Sequence, residues 1–107
     1  MIYEIRIYEA IEGKADAMKA RFKNEAAKRF PNHGIELLGV FESPSNTSRL
    51  TYLTRFKSEA ERAKAWAAFG ADPEWLLVKA ATEKNGPLLK NQTVSVLSPT
   101  VAGLLLG

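Results

Sequence analysis

The chain has no cysteine and a single histidine, His33. The first absence excludes a disulfide framework, a thiolate metal site and a cysteine nucleophile. The second leaves all imidazole chemistry to one residue. With no pair of ligands at helix-face spacing, neither a zinc nor a haem centre is expected. The sequence also lacks a glycine-rich phosphate loop and a nucleophile elbow, which speaks against nucleotide hydrolysis and triad chemistry. No cofactor is expected. The opening MIYEIRIYEA places Glu4 and Arg6 where a secretion signal would be unbroken and apolar. The apolar tail Val101-Ala102-Gly103-Leu104-Leu105-Leu106 falls far short of the roughly 18 residues that a spanning helix needs. Strong charge of one sign is missing too. The net charge is +3, and acidic residues lie among the basic ones throughout, as in Lys23-Asn24-Glu25. That is the pattern of a solvated mixed surface rather than of a nucleic-acid interface. The expectation is a cytoplasmic protein with no membrane insertion and no nucleic-acid partner.

What is present fits one globular domain. At 107 residues, 46% apolar and 25% charged, the chain is long enough for one modest core and too apolar for disorder. Ile2 to Tyr8 alternates and is rich in β-branched and aromatic residues, so it reads as a strand. From Gly13 to Phe30 the apolar residues Ala15, Met18, Phe22, Ala26 and Phe30 form one helical stripe, stopped by Pro31. Ile35 to Glu42 and Arg49 to Phe56 read as a hairpin around the turn cluster Ser43 to Ser48. Ser58-Glu59-Ala60-Glu61 is a capping box that opens a helix running to about Phe69 and burying Ala63, Trp66 and Ala67. Gly70 ends it. Asp72-Pro73 starts a second helical piece, with Asp as N-cap and Pro at the first helical position. The last strand lies within Leu88 to Leu97. The order is strand, helix, strand, strand, broken helix, strand. That predicts an α+β fold, a ferredoxin-like βαββαβ unit over residues 1–98 followed by an apolar tail over 99–107.

In such a fold the helices cover one face of the sheet. The apolar set Tyr3, Ile5, Ile7, Leu37, Phe41, Leu50, Tyr52, Phe56, Val94 and Val96 is expected beneath them. The other face is then Ile2, Tyr8, Leu38, Val40 and Leu53, mixed with Glu4, Glu36 and Glu42 against Arg6, Arg49 and Arg55. An exposed antiparallel face normally alternates cleanly to polar residues. A mixed face predicts a homodimer in which two sheets meet, bury the apolar half and pair the charges.

Three ordered segments carry a family resemblance. They are Tyr3-Glu4-Ile5-Arg6-Ile7-Tyr8 with Gly13 after it, His33-Gly34-Ile35-Glu36-Leu37-Leu38-Gly39-Val40-Phe41, and Ser58-Glu59-Ala60-Glu61-Arg62 followed by Asp72-Pro73-Glu74-Trp75. Together they resemble the NIPSNAP family from residue 2 to about 97. The resemblance implies a ferredoxin-like domain assembled as a dimeric α+β barrel. It implies no reaction, because the family has no settled biochemical activity. The hairpin turn without glycine, and Thr54 where tryptophan is common, depart from the family pattern.

The candidate chemistry is short. His33 is the one candidate acid or base, and its simpler role is to cap the end of the first helix. Tyr3, Phe22, Tyr52, Trp66 and Trp75 are candidates for an apolar ligand pocket, or for plain core. Glu4, Arg6, Glu36 and Arg55 are candidates for a polar barrel interior or for interface salt bridges. Two functions follow from different classes. One is a binding module for a small molecule or a protein partner. The alternative is a cofactor-free oxygenase or isomerase, which needs only a shaped cavity and one or two polar groups.

Overall fold

The computed structural model describes residues 1–101 and 103–104. Strand β1 (Ile2–Ala10) leads into a helical run, then into the hairpin of β2 (Glu36–Ser43) and β3 (Asn46–Phe56). Helices α3 (Glu59–Gly70) and α4 (Pro73–Thr82) follow, and β4 (Leu89–Leu97) closes the domain. The four strands form one antiparallel sheet in the order β2-β3-β1-β4. This is the ferredoxin-like arrangement expected from the sequence. No helix among the described residues is long and apolar enough to cross a membrane.

The helical run between β1 and β2 is not uniform. It starts as α1 (Ala15–Arg21), widens into a π-helical turn over Phe22–Ala26, returns to α as α2 (Ala27–Arg29) and tightens into a 3₁₀ turn over Phe30–His33. The cause is legible in the stripe. Met18, Phe22, Ala26 and Phe30 recur at strict four-residue spacing, and all four are buried. In an α-helix each such step overshoots a full turn by about 40°. The wider π-turn takes up that slip and keeps the stripe on the sheet. Gly34, at φ 77°, then turns the chain out in the left-handed region that glycine adopts without penalty.

The break between α3 and α4 forms as expected. The Ser58 hydroxyl accepts from the Glu61 amide, one half of the capping box. The Asp72 carboxylate accepts from the Glu74 and Trp75 amides. The buried face of α3 differs from the expectation: Ala65 and Phe69 are buried and Trp66 is half-buried, while Ala63 and Ala67 are exposed. Tyr52, Phe30, Met18 and Ile35 are the largest apolar side chains fully enclosed in the core. Each contributes about 1.5–3 kcal/mol through burial.

The face of β1 is a correction. β3 buries Leu50, Tyr52, Thr54 and Phe56 under the helices. Register pairs Tyr8 with Leu50, Arg6 with Tyr52, Glu4 with Thr54 and Ile2 with Phe56. Directly paired residues share a face, so Glu4, Arg6 and Tyr8 lie under the helices. Tyr3, Ile5 and Ile7 line the open face with Arg55, Leu53 and Thr51. Both faces of β1 carry apolar residues, so alternation alone could not choose between them. The deeper apolar stripe on β3 chose. On β2 an irregularity between Leu37 and Gly39 shifts the register. It puts Val40 and Glu42 with the helix-side residues Tyr52 and Leu50, and Phe41 on the open face. Val94 and Val96 do lie on the helix side, opposite Arg6 and Glu4, but on an edge strand that the helices leave uncovered.

Candidate functional site

Placing Glu4 and Arg6 under the helices creates the most polar point of the interior. Glu4 is fully buried. Its Oε1 accepts from Arg6 Nε at 2.7 Å, Trp66 Nε1 at 3.0 Å and Thr54 Oγ1 at 3.3 Å, and its Oε2 accepts from Arg62 Nη1. A lone buried carboxylate would be costly. One with two guanidinium partners and two further donors is fully satisfied. Arg62 is shared, since it also holds Glu59 through Nε and Nη2. Both Arg6 and Arg62 have pKa values raised above the ordinary arginine value. For Arg6, burial works against the charge, and the hydrogen bond and attraction of Glu4, with Tyr52 and Tyr8, outweigh it. For Arg62 the Glu59 hydrogen bond leads, with Glu4 adding to it. These groups are permanently charged and do not act as acids.

Arg6 also forms the floor of a cleft. Its guanidinium carbon lies 3.8 Å from the centre of the Trp66 ring, a close cation–π contact. The cleft, about 450 Å³, runs between α3, α4 and the β1–β4 side of the sheet. Tyr8, Arg21, Trp75, Leu89 and Gln92 are among the residues that line it. Its size is within the usual range for small-molecule pockets. Arg21, buried on α1, points to the far end, where its Nη1 donates to Glu83 at 2.7 Å and to Thr82 at 3.2 Å. Its guanidinium carbon is 5.4 Å from the Trp75 ring centre. Tyr8 and Tyr52 join hydroxyl to hydroxyl at 2.6 Å. Burial, first, and then Tyr8 push the Tyr52 phenol far above its ordinary value, so Tyr52 stays neutral.

The sequence candidates therefore divide. Trp66 and Trp75 line the cleft. Phe22 and Tyr52 are core residues beneath it, packed with ring centres 4.6 Å apart. Tyr3 is buried on the opposite side of the sheet, beside Ile5, Leu53 and the start of the tail. Arg6 forms the cleft floor, and Glu4, fully buried, holds it from behind. Glu36 and Arg55 form an exposed pair, with contacts of 2.9 and 2.7 Å, on the open face. His33 stands apart from the cleft, with Nε2 2.7 Å from Asp72 Oδ2. It ties the end of the first helical run to the cap of α4, a link between two elements rather than the carbonyl cap expected. Among the described residues no group of three or more acidic or histidine side chains is placed to hold a metal.

Sequence reasoning missed Tyr8, Arg21, Arg62 and Gln92. Arg21 had a signal: it falls three residues after Met18 and directly before Phe22, on the edge of the buried stripe. Tyr8 and Arg62 had none, because their place depends on which face of β1 the helices cover.

The NIPSNAP family model matches residues 3–102 of this chain. No curated protein matches it. Among solved structures, the protein Atu4242 from Agrobacterium tumefaciens is 27% identical with a TM-score of 0.79, the alignment covering 94% of each chain. An uncharacterised NIPSNAP-like domain protein from Burkholderia xenovorans is 26% identical, TM-score 0.79, covering 96% of this chain and 88% of that one. A putative antibiotic biosynthesis monooxygenase from Nitrosomonas europaea shares the fold at TM-score 0.66 with 13% identity, covering 94% of this chain and all (100%) of that one.

Proposed function

The chain belongs to the NIPSNAP family, and on that footing we propose that it is a homodimeric module that binds a small molecule in the cleft between the helices and the sheet. The observation that carries the reading is Arg6: a guanidinium anchored from behind by a buried carboxylate, stacked on Trp66, and facing an open cavity. A site needs rigid polar groups at a few points in an otherwise apolar wall. The Glu4 network supplies that rigidity. The proposed dimer joins the open sheet faces, leaving each cleft free on the outer, helix-bearing side.

A second reading, a cofactor-free oxygenase or isomerase, is favoured by one feature. Tyr8, joined hydroxyl to hydroxyl with the buried Tyr52, lines the same cleft and offers a proton donor next to a fixed cation. The Nitrosomonas protein of related fold is named a monooxygenase, but at that identity the likeness speaks only for the fold.

Native mass spectrometry of the purified protein at micromolar concentration tests both parts of the proposal. The expected spectrum has dimer mass and carries a low-mass adduct that is lost on collisional activation. A purely monomeric spectrum would remove the dimer. A cleft that takes up no small molecule from a diverse fragment set, followed by tryptophan fluorescence, would remove the binding role.

A further inference from the structure

Both tryptophans of the chain, Trp66 and Trp75, stand on the wall of this one cleft, each with an arginine against its ring. The two arginines differ in what they have left to offer. Arg21 is buried and its Nη1 is matched by Glu83 and Thr82. Arg6 gives only Nε to Glu4. Among the described residues no hydrogen bond is made by its two terminal amino groups, and neither is an enclosed orphan. A guanidinium held by its Nε presents the remaining donors as a planar fork, the complement of a carboxylate.

Beside Arg6 on the same face of β1, Tyr8 has an orientation fixed by its neighbour. Tyr52 is fully buried, and among the described residues its hydroxyl has one partner, the Tyr8 oxygen at 2.6 Å. If Tyr8 donated in that bond, the Tyr52 proton would lie unpaired in the core and forfeit its hydration without return. Tyr52 therefore donates and Tyr8 accepts, which frees the Tyr8 O–H for the cleft. The rest of the lining is mixed: Trp75, packed on Phe69 at 4.9 Å between ring centres, and Leu89 are apolar, while Gln92 is polar. Lys79 adds positive charge at the rim, and the one carboxylate there, Glu83, is taken up by Arg21.

Resting on the cleft being a small-molecule site, we infer that its ligand is a planar aromatic or conjugated carboxylate. The carboxylate lies on the terminal amino groups of Arg6, an oxygen on the ring or chain accepts from Tyr8, and the plane lies against the tryptophans. The chain's only two tryptophans make intrinsic fluorescence a direct readout. The experiment titrates 4-hydroxybenzoate and its neutral amide, 4-hydroxybenzamide, against wild type, Arg6→Gln and Tyr8→Phe, with folding checked by circular dichroism. In the wild type the carboxylate should bind about 10-fold or more tighter than the amide, the worth of a charged hydrogen-bonded pair. Arg6→Gln should erase that preference by weakening the carboxylate more than the amide, and Tyr8→Phe should weaken both ligands about 3- to 10-fold. An amide that binds the wild type as tightly as the carboxylate overturns the ligand class and leaves the cleft as a binding site. If neither probe changes the fluorescence, both the ligand class and the cleft reading fail. Should Arg6→Gln not fold, salt on the wild type takes its place: the carboxylate preference must shrink as ionic strength rises, and a preference that ignores salt counts against Arg6.

Discussion

At the scale of single residues, Glu4 decides most. Its carboxylate is fully buried and meets Arg6, Arg62, Trp66 and Thr54 at once. Replacing a well-satisfied buried ion pair by apolar groups can be neutral, whereas removing one partner strands the others. Glu4→Ala leaves Arg6 without its anchor and should cost about 3 kcal/mol in urea unfolding. Glu4→Gln keeps the shape and two acceptor positions and should cost less. A Glu4→Ala protein as stable as wild type would mean that the network adds nothing to folding. Arg62→Ala should be milder than Glu4→Ala, because Arg6, Trp66 and Thr54 still serve the carboxylate. The sequence announced none of this, since a Glu and an Arg two apart on a strand with apolar neighbours on both sides fit either face.

At the scale of elements, the caps around the α3–α4 break hold the cleft wall. Ser58→Ala removes the bond to the Glu61 amide and should lower stability by about 1 kcal/mol, measured by thermal or denaturant unfolding. The Asp72 cap carries a pH dependence. The His33 hydrogen bond first, then the Trp75 and Glu74 amides, hold the Asp72 carboxyl below its ordinary value. A carboxyl whose folded pKa lies below its unfolded one stabilises the fold above the unfolded value, near pH 4, and loses that contribution as pH falls through the folded value. Acid unfolding of the wild type should therefore steepen below about pH 4, and Asp72→Asn should flatten that limb while lowering stability at neutral pH. An unchanged acid limb in Asp72→Asn would show that the His33–Asp72 link does not couple the first helical run to α4. Most element boundaries were readable, because Pro31, Gly34, Ser58 and Asp72-Pro73 are stops and starts with local causes. The π-turn at Phe22–Ala26 was present in the sequence only as an over-regular four-residue spacing.

At the scale of the whole molecule, the orientation of β1 leaves an open sheet face that is apolar at its centre, the face on which the proposed homodimer would form. The open face now carries Ile5, Ile7 and Leu53 at its centre, with Phe41 59% exposed on β2. Its charges, Glu9 with Arg49 and Glu36 with Arg55, sit toward its ends and are already paired within the chain. In the proposed dimer, salt bridges across the interface would not be needed, and burial alone would drive the association. Leu53→Glu puts a charge at the centre of that face and should shift a dimer to monomer in analytical ultracentrifugation, with little change in circular dichroism. Arg55→Ala, at the end of the face, should leave the oligomeric state alone. If Leu53→Glu sediments as the wild type does, the sheet face is not where two chains meet. The described part of the tail, with Pro99, Val101 and Leu104, lies beside Tyr3, Ile5 and Leu53 on this same face, so it borders any such contact.

By itself the sequence determined the order of elements, their caps and breaks, and the family. Those follow from local periodicity and from residues whose backbone preferences act over a few positions. Only the tertiary structure decided which side of β1 faces the helices. That choice depends on register with β3, where Leu50, Tyr52 and Phe56 form the stronger apolar stripe and draw their cross-strand partners to the covered side. It moved Arg6 and Tyr8 from an expected interface to the lining of a cleft, with Glu4 buried behind Arg6, because burial in a sheet is settled between strands and not along one.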